Sequence, residues 1–261
     1  MMRLRRILLV ASCAGGVVYR PRRFARELAR SAVPDGGILR GRVQVVRADD
    51  ASAPPPPAGS ERVVLAGGDV ADGGWGDGAH PSTALCLEWL SEADLDGSDF
   101  WDYGCGSGVL ALAAKKLGAA RVEGVDVEEE ALDAARCNAA ANGVEDVAFV
   151  HGRSVVPGGD AYDYVCANIL IGQLSRPSMV ATLALGARPG ALLCLCGVRP
   201  ESRAVLLDLY GPYFSEAGYA ERAPDEHGAE YWGTWARVVL RRAEDADRRA
   251  LLDAFSDAAA G

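Results

Sequence analysis

The sequence lacks any apolar run of about 20 residues, which is the length that a membrane-spanning helix needs. Lysine is nearly absent, since Lys115 and Lys116 are the only two among 27 basic residues. The formal net charge is −9 and the isoelectric point is near 4.9, which excludes binding to nucleic acid through a general positive surface. We therefore expect neither a membrane span nor direct contact with nucleic acid.

Metal-ligand spacings are missing as well. The seven cysteines include no CxxC pair and no histidine at the spacing of a zinc site. Most of them lie in apolar runs, as reduced core cysteines do in a reducing compartment. They are found at positions 13, 86, 105, 137, 166, 194 and 196. The sequence thus predicts no metal site.

The N-terminal segment has no acidic residue. Residues 1–26 contain seven arginines and a short apolar stretch at 7–10. This composition predicts a transit peptide and a location in a mitochondrion or plastid, with the cytoplasm as the alternative. A secretory signal and a basic N-terminal helix remain open, although unpaired cysteines count against secretion.

Proline clusters at one place, in the stretch ASAPPPPAGS at 51–60. Such a stretch continues neither a helix nor a central strand, so we expect an extended linker and a domain boundary. Residues 27–60 then form a short N-terminal segment that contains one strand, GRVQVV at 41–46. The main domain is expected at 61–240. A charged helical tail follows at 241–261, with Leu251, Leu252 and Phe255 on one stripe.

Short apolar strands alternate with helical segments from Asp99 onward. This rhythm predicts a Rossmann-like α/β fold, a parallel sheet with helices on both faces. The segment GYAERAPDEHGAEYWGTWARVVL departs from it, because two strands there are joined by a turn-rich loop. Those two strands are expected to pair antiparallel.

A glycine-rich turn follows the first strand of the alternating region. Asp102 ends that strand, and Gly104, Gly106 and Gly108 open the next helix. The following strand ends at Asp126, 22 positions after Gly104, where a doubly wound sheet places an acid on ribose hydroxyls. A tight strand-to-helix turn without a ligand is the alternative, but the order of strand, turn, helix, strand and acid favours a nucleotide-type ligand.

The glycine spacing discriminates between cofactors. A dinucleotide favours GxGxxG, with its pyrophosphate at the helix N-terminus, whereas this chain has GxGxG. Asp102 would repel a pyrophosphate, yet it suits a sulfonium or an ammonium group. We therefore expect S-adenosyl-L-methionine as the cofactor, bound by residues that include Asp102, Gly104, Gly106, Gly108 and Asp126.

Asn168 ends the strand of YDYVCANIL, at the edge of the sheet where ligands bind in such folds. Its side-chain carbonyl can accept hydrogen bonds from an amine and direct the nitrogen lone pair towards a methyl donor. An ordinary Asx turn is the structural alternative. Asn168 is our candidate catalytic residue.

The loop GDGAHPST at 76–83, together with DYGCGSGVLALAAKKLGAA, GVDV and ANIL, resembles the bacterial PrmA family over roughly residues 70–240. PrmA enzymes methylate large-subunit ribosomal protein eleven. The resemblance implies a class I methyltransferase with a seven-stranded, mostly parallel sheet and an antiparallel C-terminal strand. It also implies contacts to S-adenosyl-L-methionine from Thr83, Gly104, Asp126 and Asn168.

The loop departs from the family pattern GTGTHPTT at two positions. Asp77 and Ala79 each replace a threonine, while His80, Pro81 and Thr83 are kept. A histidine followed by proline is more often positional than catalytic, so His80 is left out of the catalytic set.

The resemblance implies methylation of a protein amine, either a lysine side chain or an N-terminal amine, with a ribosomal protein or another organellar protein as substrate. PrmA proteins hold their substrate with a separate N-terminal domain, for which residues 27–60 are too few. A lysine methyltransferase of the electron-transfer-flavoprotein β-subunit type is therefore an alternative. From other classes, a dinucleotide-dependent oxidoreductase and a non-catalytic scaffold that binds S-adenosyl-L-methionine also stay open.

Overall fold

The computed structural model describes residue 33 and residues 35–66, 79–152, 161–223, 233–244, 249 and 251–253. The transit peptide expected at 1–26 lies outside the described residues. So do residues 76–78 of the loop and Phe255 of the expected tail stripe.

Ten strands and six α-helices are found in the described part of the chain. The strands are β1 (Ile38–Arg40), β2 (Val43–Arg47), β3 (Glu61–Leu65), β4 (Asp99–Tyr103), β5 (Arg121–Asp126), β6 (Ala148–His151), β7 (Tyr162–Asn168), β8 (Ala187–Val198), β9 (Phe214–Arg222) and β10 (Trp235–Arg242). The helices are α1 (Pro81–Glu92), α2 (Val109–Lys116), α3 (Glu129–Asn142), α4 (Ile171–Leu174), α5 (Pro177–Gly186) and α6 (Arg203–Tyr210).

Seven strands form the main sheet in the order β6-β5-β4-β7-β8-β10-β9. Strands β4 to β8 pair parallel, whereas β10 pairs antiparallel with both β8 and β9. The fold class and the antiparallel pair predicted from the sequence are thus confirmed. The strand order reverses between β4 and β7, and the crevice outside the carboxyl ends at such a switch point is where doubly wound sheets bind ligands.

Helices cover both faces of this sheet, as the alternating pattern predicts. Cys166 and Cys194 pack on the face covered by α1, α2 and α3, whereas their neighbours Val165 and Leu193 pack on the face covered by α5 and α6. Successive strand residues point to opposite faces, so a strand buried on both sides is apolar throughout. That is why β7 and β8 contain near-continuous apolar runs.

The proline-rich segment at 51–60 lies between two strands of one sheet, whereas the sequence predicted a domain boundary there. Strand β2 confirms the strand predicted at 41–46, and it pairs parallel with β3 on the far side of the segment. Residues 51–60 therefore connect two strands of one small sheet, β1-β2-β3, and the expected boundary at residue 60 falls inside that sheet. Parallel neighbours need a crossover connection, and an extended proline-rich chain provides the reach.

The small sheet is attached to the main domain through its β3 edge. Asn142 accepts from the Val64 amide at 2.9 Å and donates to the Val64 carbonyl at 2.7 Å, and Asn138 accepts from the Ala66 amide at 2.7 Å. These α3 side chains satisfy backbone groups that an edge strand otherwise exposes. The apolar residues of β2 and β3 join the same core cluster as α1 and α2.

At the C-terminus, β10 extends to Arg242, so the expected boundary at residue 240 falls within a strand. Leu251 is buried in the α5–α6 side of the core, while Leu252 is 42% exposed. Among the described residues, no helix has the length and apolar character to cross a membrane.

Candidate active site

The glycine turn lies between β4 and α2, at the carboxyl edge of the sheet. Gly104 has a φ of +81°, and a Cβ there would overlap Cγ2 of Ile169. Gly108, with a φ of +76°, is the N-cap of α2, and a Cβ there would lie 3.0 Å from the ring of Phe149. Both positions need glycine for backbone conformation and for close packing.

Asp126 ends β5 beside this turn. Its Oδ2 accepts from the Gly106 amide at 2.9 Å, and its Oδ1 accepts from the amides of Val127 at 2.7 Å and Glu128 at 3.1 Å. These three amides fix the carboxylate at the end of the strand. A carboxylate has about four lone-pair positions, so Asp126 keeps acceptor capacity for a ligand.

Asn168 ends β7 and contacts the first turn of α1. Its side-chain nitrogen donates to Thr83 Oγ1 at 3.4 Å. This contact leaves the amide oxygen of Asn168 as the acceptor that the sequence analysis assigned to an amine. Thr83 is brought there because Pro81 starts α1 at the same edge of the sheet.

These side chains face one cavity of about 560 Å³. Five of the seven residues predicted from the sequence line it: Thr83, Gly104, Gly106, Asp126 and Asn168. Asp102 and Gly108 are not among the lining residues. A cavity of this size lies within the range of small-molecule and cofactor sites.

Asp102 lies beneath the turn, away from the cavity wall. It is fully buried, and its Oδ2 accepts from the Ala111 amide at 3.1 Å. Its Oδ1 has no hydrogen-bond partner among the described residues. Burial raises the pKa of Asp102 to about 7. The contact that the structure shows for Asp102 is to the start of α2. Direct contact of Asp102 with a sulfonium or ammonium group therefore stays a prediction.

Sequence reasoning missed several residues of the cavity wall. They are Tyr103, Leu170, Gln173, Arg176, Met179 and Trp235. Tyr103 and Leu170 had a local signal, because Tyr103 immediately follows Asp102 and Leu170 ends the ANIL motif. Trp235 begins β10, about 70 residues beyond Asn168, so no local pattern connects it with the turn.

Trp235 is fixed by two neighbours. The ring of His80 meets it edge-on at 4.6 Å, and the guanidinium of Arg199 lies 4.0 Å from its ring centroid. His80 is the N-cap of α1, and its Nδ1 accepts from the Ser82 amide at 3.2 Å. Burial, followed by the positive charge of Arg199, lowers the pKa of His80 to about 4. His80 is therefore neutral near pH 7 and holds the helix start and the tryptophan.

Comparison with known proteins gives consistent matches. The family model described as ribosomal protein L11 methyltransferase (PrmA) matches residues 71–223. A relative named ribosomal protein L11 methyltransferase from Shewanella amazonensis is 43% identical over 140 residues, which is 54% of this chain and 47% of the relative. Its namesake from Vibrio cholerae serotype O1 is 46% identical over 136 residues, 52% of this chain and 45% of the relative.

Among solved structures, ribosomal protein L11 methylase from Lactobacillus delbrueckii subsp. bulgaricus aligns with a TM-score of 0.62 and 25% identity. The alignment covers 77% of this chain and 94% of that one. The chain spans about half the length of the curated relatives it matches. The family match at 71–223 includes strands β4 to β9 of the main sheet, whereas β10 lies beyond it.

Proposed function

Because the chain belongs to the ribosomal protein L11 methyltransferase (PrmA) family, we propose that it transfers a methyl group from S-adenosyl-L-methionine to an amine of a protein. The observation that supports this most directly is the meeting of Asn168, Thr83 and Asp126 at one cavity. A ribosomal protein is the proposed substrate, as the names of the relatives indicate for those proteins.

The residues of the cavity fit S-adenosyl-L-methionine. Gly104 lets the backbone approach a ligand closely, and Asp126 offers acceptor positions for ribose hydroxyls. Asp126 and Glu128 also contribute negative charge to the wall, which suits a ligand with a positive sulfur. When bound, S-adenosyl-L-methionine supplies an electrophilic methyl group.

Asn168 has the role of orienting the acceptor amine. Its amide oxygen accepts an amine N–H, which directs the nitrogen lone pair away from that bond. Thr83 holds the side chain of Asn168 in place by accepting from its nitrogen. A lysine has a reference pKa of about 10.4, and the apolar part of the wall favours its neutral form by desolvation. Lysine and N-terminal amines both satisfy this chemistry.

A labelling assay tests the proposal. Isolated large-subunit ribosomal proteins are incubated with the chain and with S-adenosyl-L-methionine that carries a labelled methyl group. We expect the full-length chain to label one protein band, with the modified amine identified by mass spectrometry. Asn168→Ala should lower the labelling rate by about 100-fold, the usual scale for a group that positions a reactant. Donor affinity, measured by isothermal titration, should change much less.

Asn142→Ala is the matched control, since Asn142 has similar burial but lies on α3 and contacts β3. It should label at the wild-type rate at a temperature where it is folded. Unchanged labelling by Asn168→Ala would remove Asn168 from its proposed role.

The alternatives give different outcomes. Labelling of an electron-transfer flavoprotein β-subunit instead of a ribosomal protein would identify the chain as a lysine methyltransferase of that type. Tight binding of NAD with no binding of S-adenosylhomocysteine would point to an oxidoreductase. Donor binding without any labelled protein would favour a scaffold.

The proposed cellular location depends on the N-terminus alone. Residues 1–26 have the composition of a transit peptide. They lie outside the described residues, and the relatives named above are bacterial. Fusion of residues 1–26 to a fluorescent protein tests import into an organelle.

A further inference from the structure

Three cysteines from distant parts of the chain meet under the cavity. Cys86 of α1, Cys166 of β7 and Cys194 of β8 have Sγ atoms that all lie within 4.8 Å of one another. The Sγ atoms of Cys86 and Cys166 are 3.7 Å apart. All three residues are fully buried. We name Cys86, Cys166 and Cys194 the thiol cluster.

The sheet register explains why they meet. Cys166 is the register partner of Cys194 on β8 and of Asp102 on β4, so the three side chains leave the same face of the sheet in one row. Helix α1 packs across this face and brings Cys86 to the row. The cluster is thus built by rigid elements, one helix and two strands of the central sheet.

The spacing suits an ion between the sulfurs. Two thiolates bound to a tetrahedral zinc ion at about 2.3 Å are about 3.8 Å apart. The observed separation of 3.7 Å between Cys86 and Cys166 is close to this value. A disulfide needs about 2.05 Å, so these two sulfurs would have to move much further for a covalent bond.

Two polar atoms next to the cluster lack partners. Arg237 of β10 donates from Nη1 to the carbonyl of Leu85, the residue before Cys86, while its buried Nε has no hydrogen-bond partner among the described residues. The Oδ1 of Asp102 is likewise buried and unpartnered within the described structure. Buried polar atoms without partners are rare and call for an explanation.

The positive charge of Arg237 next to the cluster also favours thiolate ligands around a metal ion. Arg237 lies beside Cys86, since it bonds the carbonyl of Leu85, and its guanidinium contributes a positive charge there. Binding of Zn²⁺ to three thiols forms three S–Zn bonds and releases three protons to solvent. The resulting charge of −1 is offset by the guanidinium of Arg237.

We propose that Cys86, Cys166 and Cys194 form a binding site for a thiophilic d¹⁰ metal ion, with Zn²⁺ the ion that the local charge favours. Soft thiolate ligands select zinc and Cu⁺ over harder cations. Cu⁺ with three thiolates has a charge of −2, which one guanidinium does not offset.

The site lies next to Thr83 and Asn168 of the cavity wall. Thr83 precedes Cys86 by three residues on α1, and Asn168 follows Cys166 by two residues on β7, so each pair shares one face of its element. A bound ion would therefore join α1 to β7 directly below the contact between Thr83 and Asn168.

Metal titration of the full-length protein tests the proposal. The reduced, chelator-treated protein is titrated with Zn²⁺, with Cu⁺ and with Cd²⁺, whose thiolate charge-transfer absorption reports sulfur ligands. We expect one Zn²⁺ per chain by elemental analysis. In weak buffer, the wild-type protein should release about three protons per ion.

Cys194→Ser and Cys86→Ala should each weaken Zn²⁺ binding by more than about 100-fold, above the usual loss from an outer-shell partner. Cys137→Ser on α3 is the matched control and should bind like the wild type. Zn²⁺ should raise the thermal unfolding temperature of the wild type and this control, but not of the cluster variants.

Absence of stoichiometric Zn²⁺ binding by the folded, reduced wild type would overturn the proposal. Full-affinity binding by Cys194→Ser, or tight binding of Cu⁺ without Zn²⁺, would also contradict it. So would isolation of the protein with a Cys86–Cys166 disulfide as its stable form. The proton count and the elemental analysis need no variant, so a misfolded variant does not prevent the test.

Discussion

At the scale of single residues, His80 both caps the start of a helix and has a lowered pKa. It is the N-cap of α1 and an edge-on neighbour of Trp235, and its pKa is lowered to about 4 by burial and by Arg199. A base whose folded pKa is depressed stabilises the fold only while it is neutral. Its contribution is thus complete above the unfolded value of about 6.5 and is lost as the pH falls through about 4.

The wild type should therefore lose stability between pH 6.5 and pH 4 through His80, by about 1–3 kcal/mol. His80→Asn keeps a capping acceptor but does not titrate, so its free energy of unfolding should depend less on pH in this window. Denaturant unfolding at several pH values measures the difference. Parallel pH profiles for the two proteins would contradict the assignment.

At the scale of elements, the attachment of β3 to α3 depends on two asparagines. Asn138 is fully buried and also donates to the Ser107 carbonyl at 2.9 Å, so one side chain joins β3, α3 and the turn before α2. Asn142 bonds both backbone groups of Val64 from a half-buried position. Loss of either leaves backbone groups without partners.

We expect Asn138→Ala to lower the free energy of unfolding by about 2–4 kcal/mol and Asn142→Ala by about 1–2 kcal/mol. The exposed Glu130→Ala on the same helix is the control, with a change within about 0.5 kcal/mol. Urea titration of the three variants measures these differences. An Asn138→Ala variant as stable as the control would show that the small sheet is held by other contacts.

At the scale of the whole molecule, the two edges of the main sheet have different chemistry. At the edge where the parallel strands begin, ion pairs join β4, β7 and β8, because Arg188 bonds Asp99 at 2.5 Å and Asp163 at 2.6 Å. The carboxyl edge contains the cavity, the glycine turn and the polar strand ends. A ligand at this edge contacts several elements at once, so its binding should stabilise the entire fold.

S-adenosylhomocysteine at 100 times its Kd should raise the free energy of unfolding by about 2.7 kcal/mol. NAD at the same concentration should have no effect. Gly104→Ala should abolish the ligand-dependent increase, because a Cβ at that position overlaps Ile169 and strains a backbone with φ of +81°. Thermal unfolding with and without each ligand measures this. Equal stabilisation by NAD would contradict the proposed cofactor.

Local patterns in the sequence determined the type of fold and much of the site. Alternation of strands and helices predicted the parallel sheet, and the order of strand, glycine turn and acid predicted the edge at which the cavity lies, because these signals depend on neighbours along the chain. Gly104, Gly106, Asp126 and Asn168 were found in this way, and Thr83 was found through the resemblance to the PrmA family. All five line one cavity.

Tertiary structure alone decided the features that depend on strand order and helix packing. Trp235 reaches the cavity because β10 inserts between β8 and β9, and Asp102 lies below the wall because its side chain points towards α2. The thiol cluster has no signature in sequence spacing, since its members come from α1, β7 and β8 and meet only through sheet register and the packing of α1 on the sheet. Likewise, the proline-rich segment joins rather than separates its neighbours, because pairing between β2 and β3 is a contact that no local composition encodes.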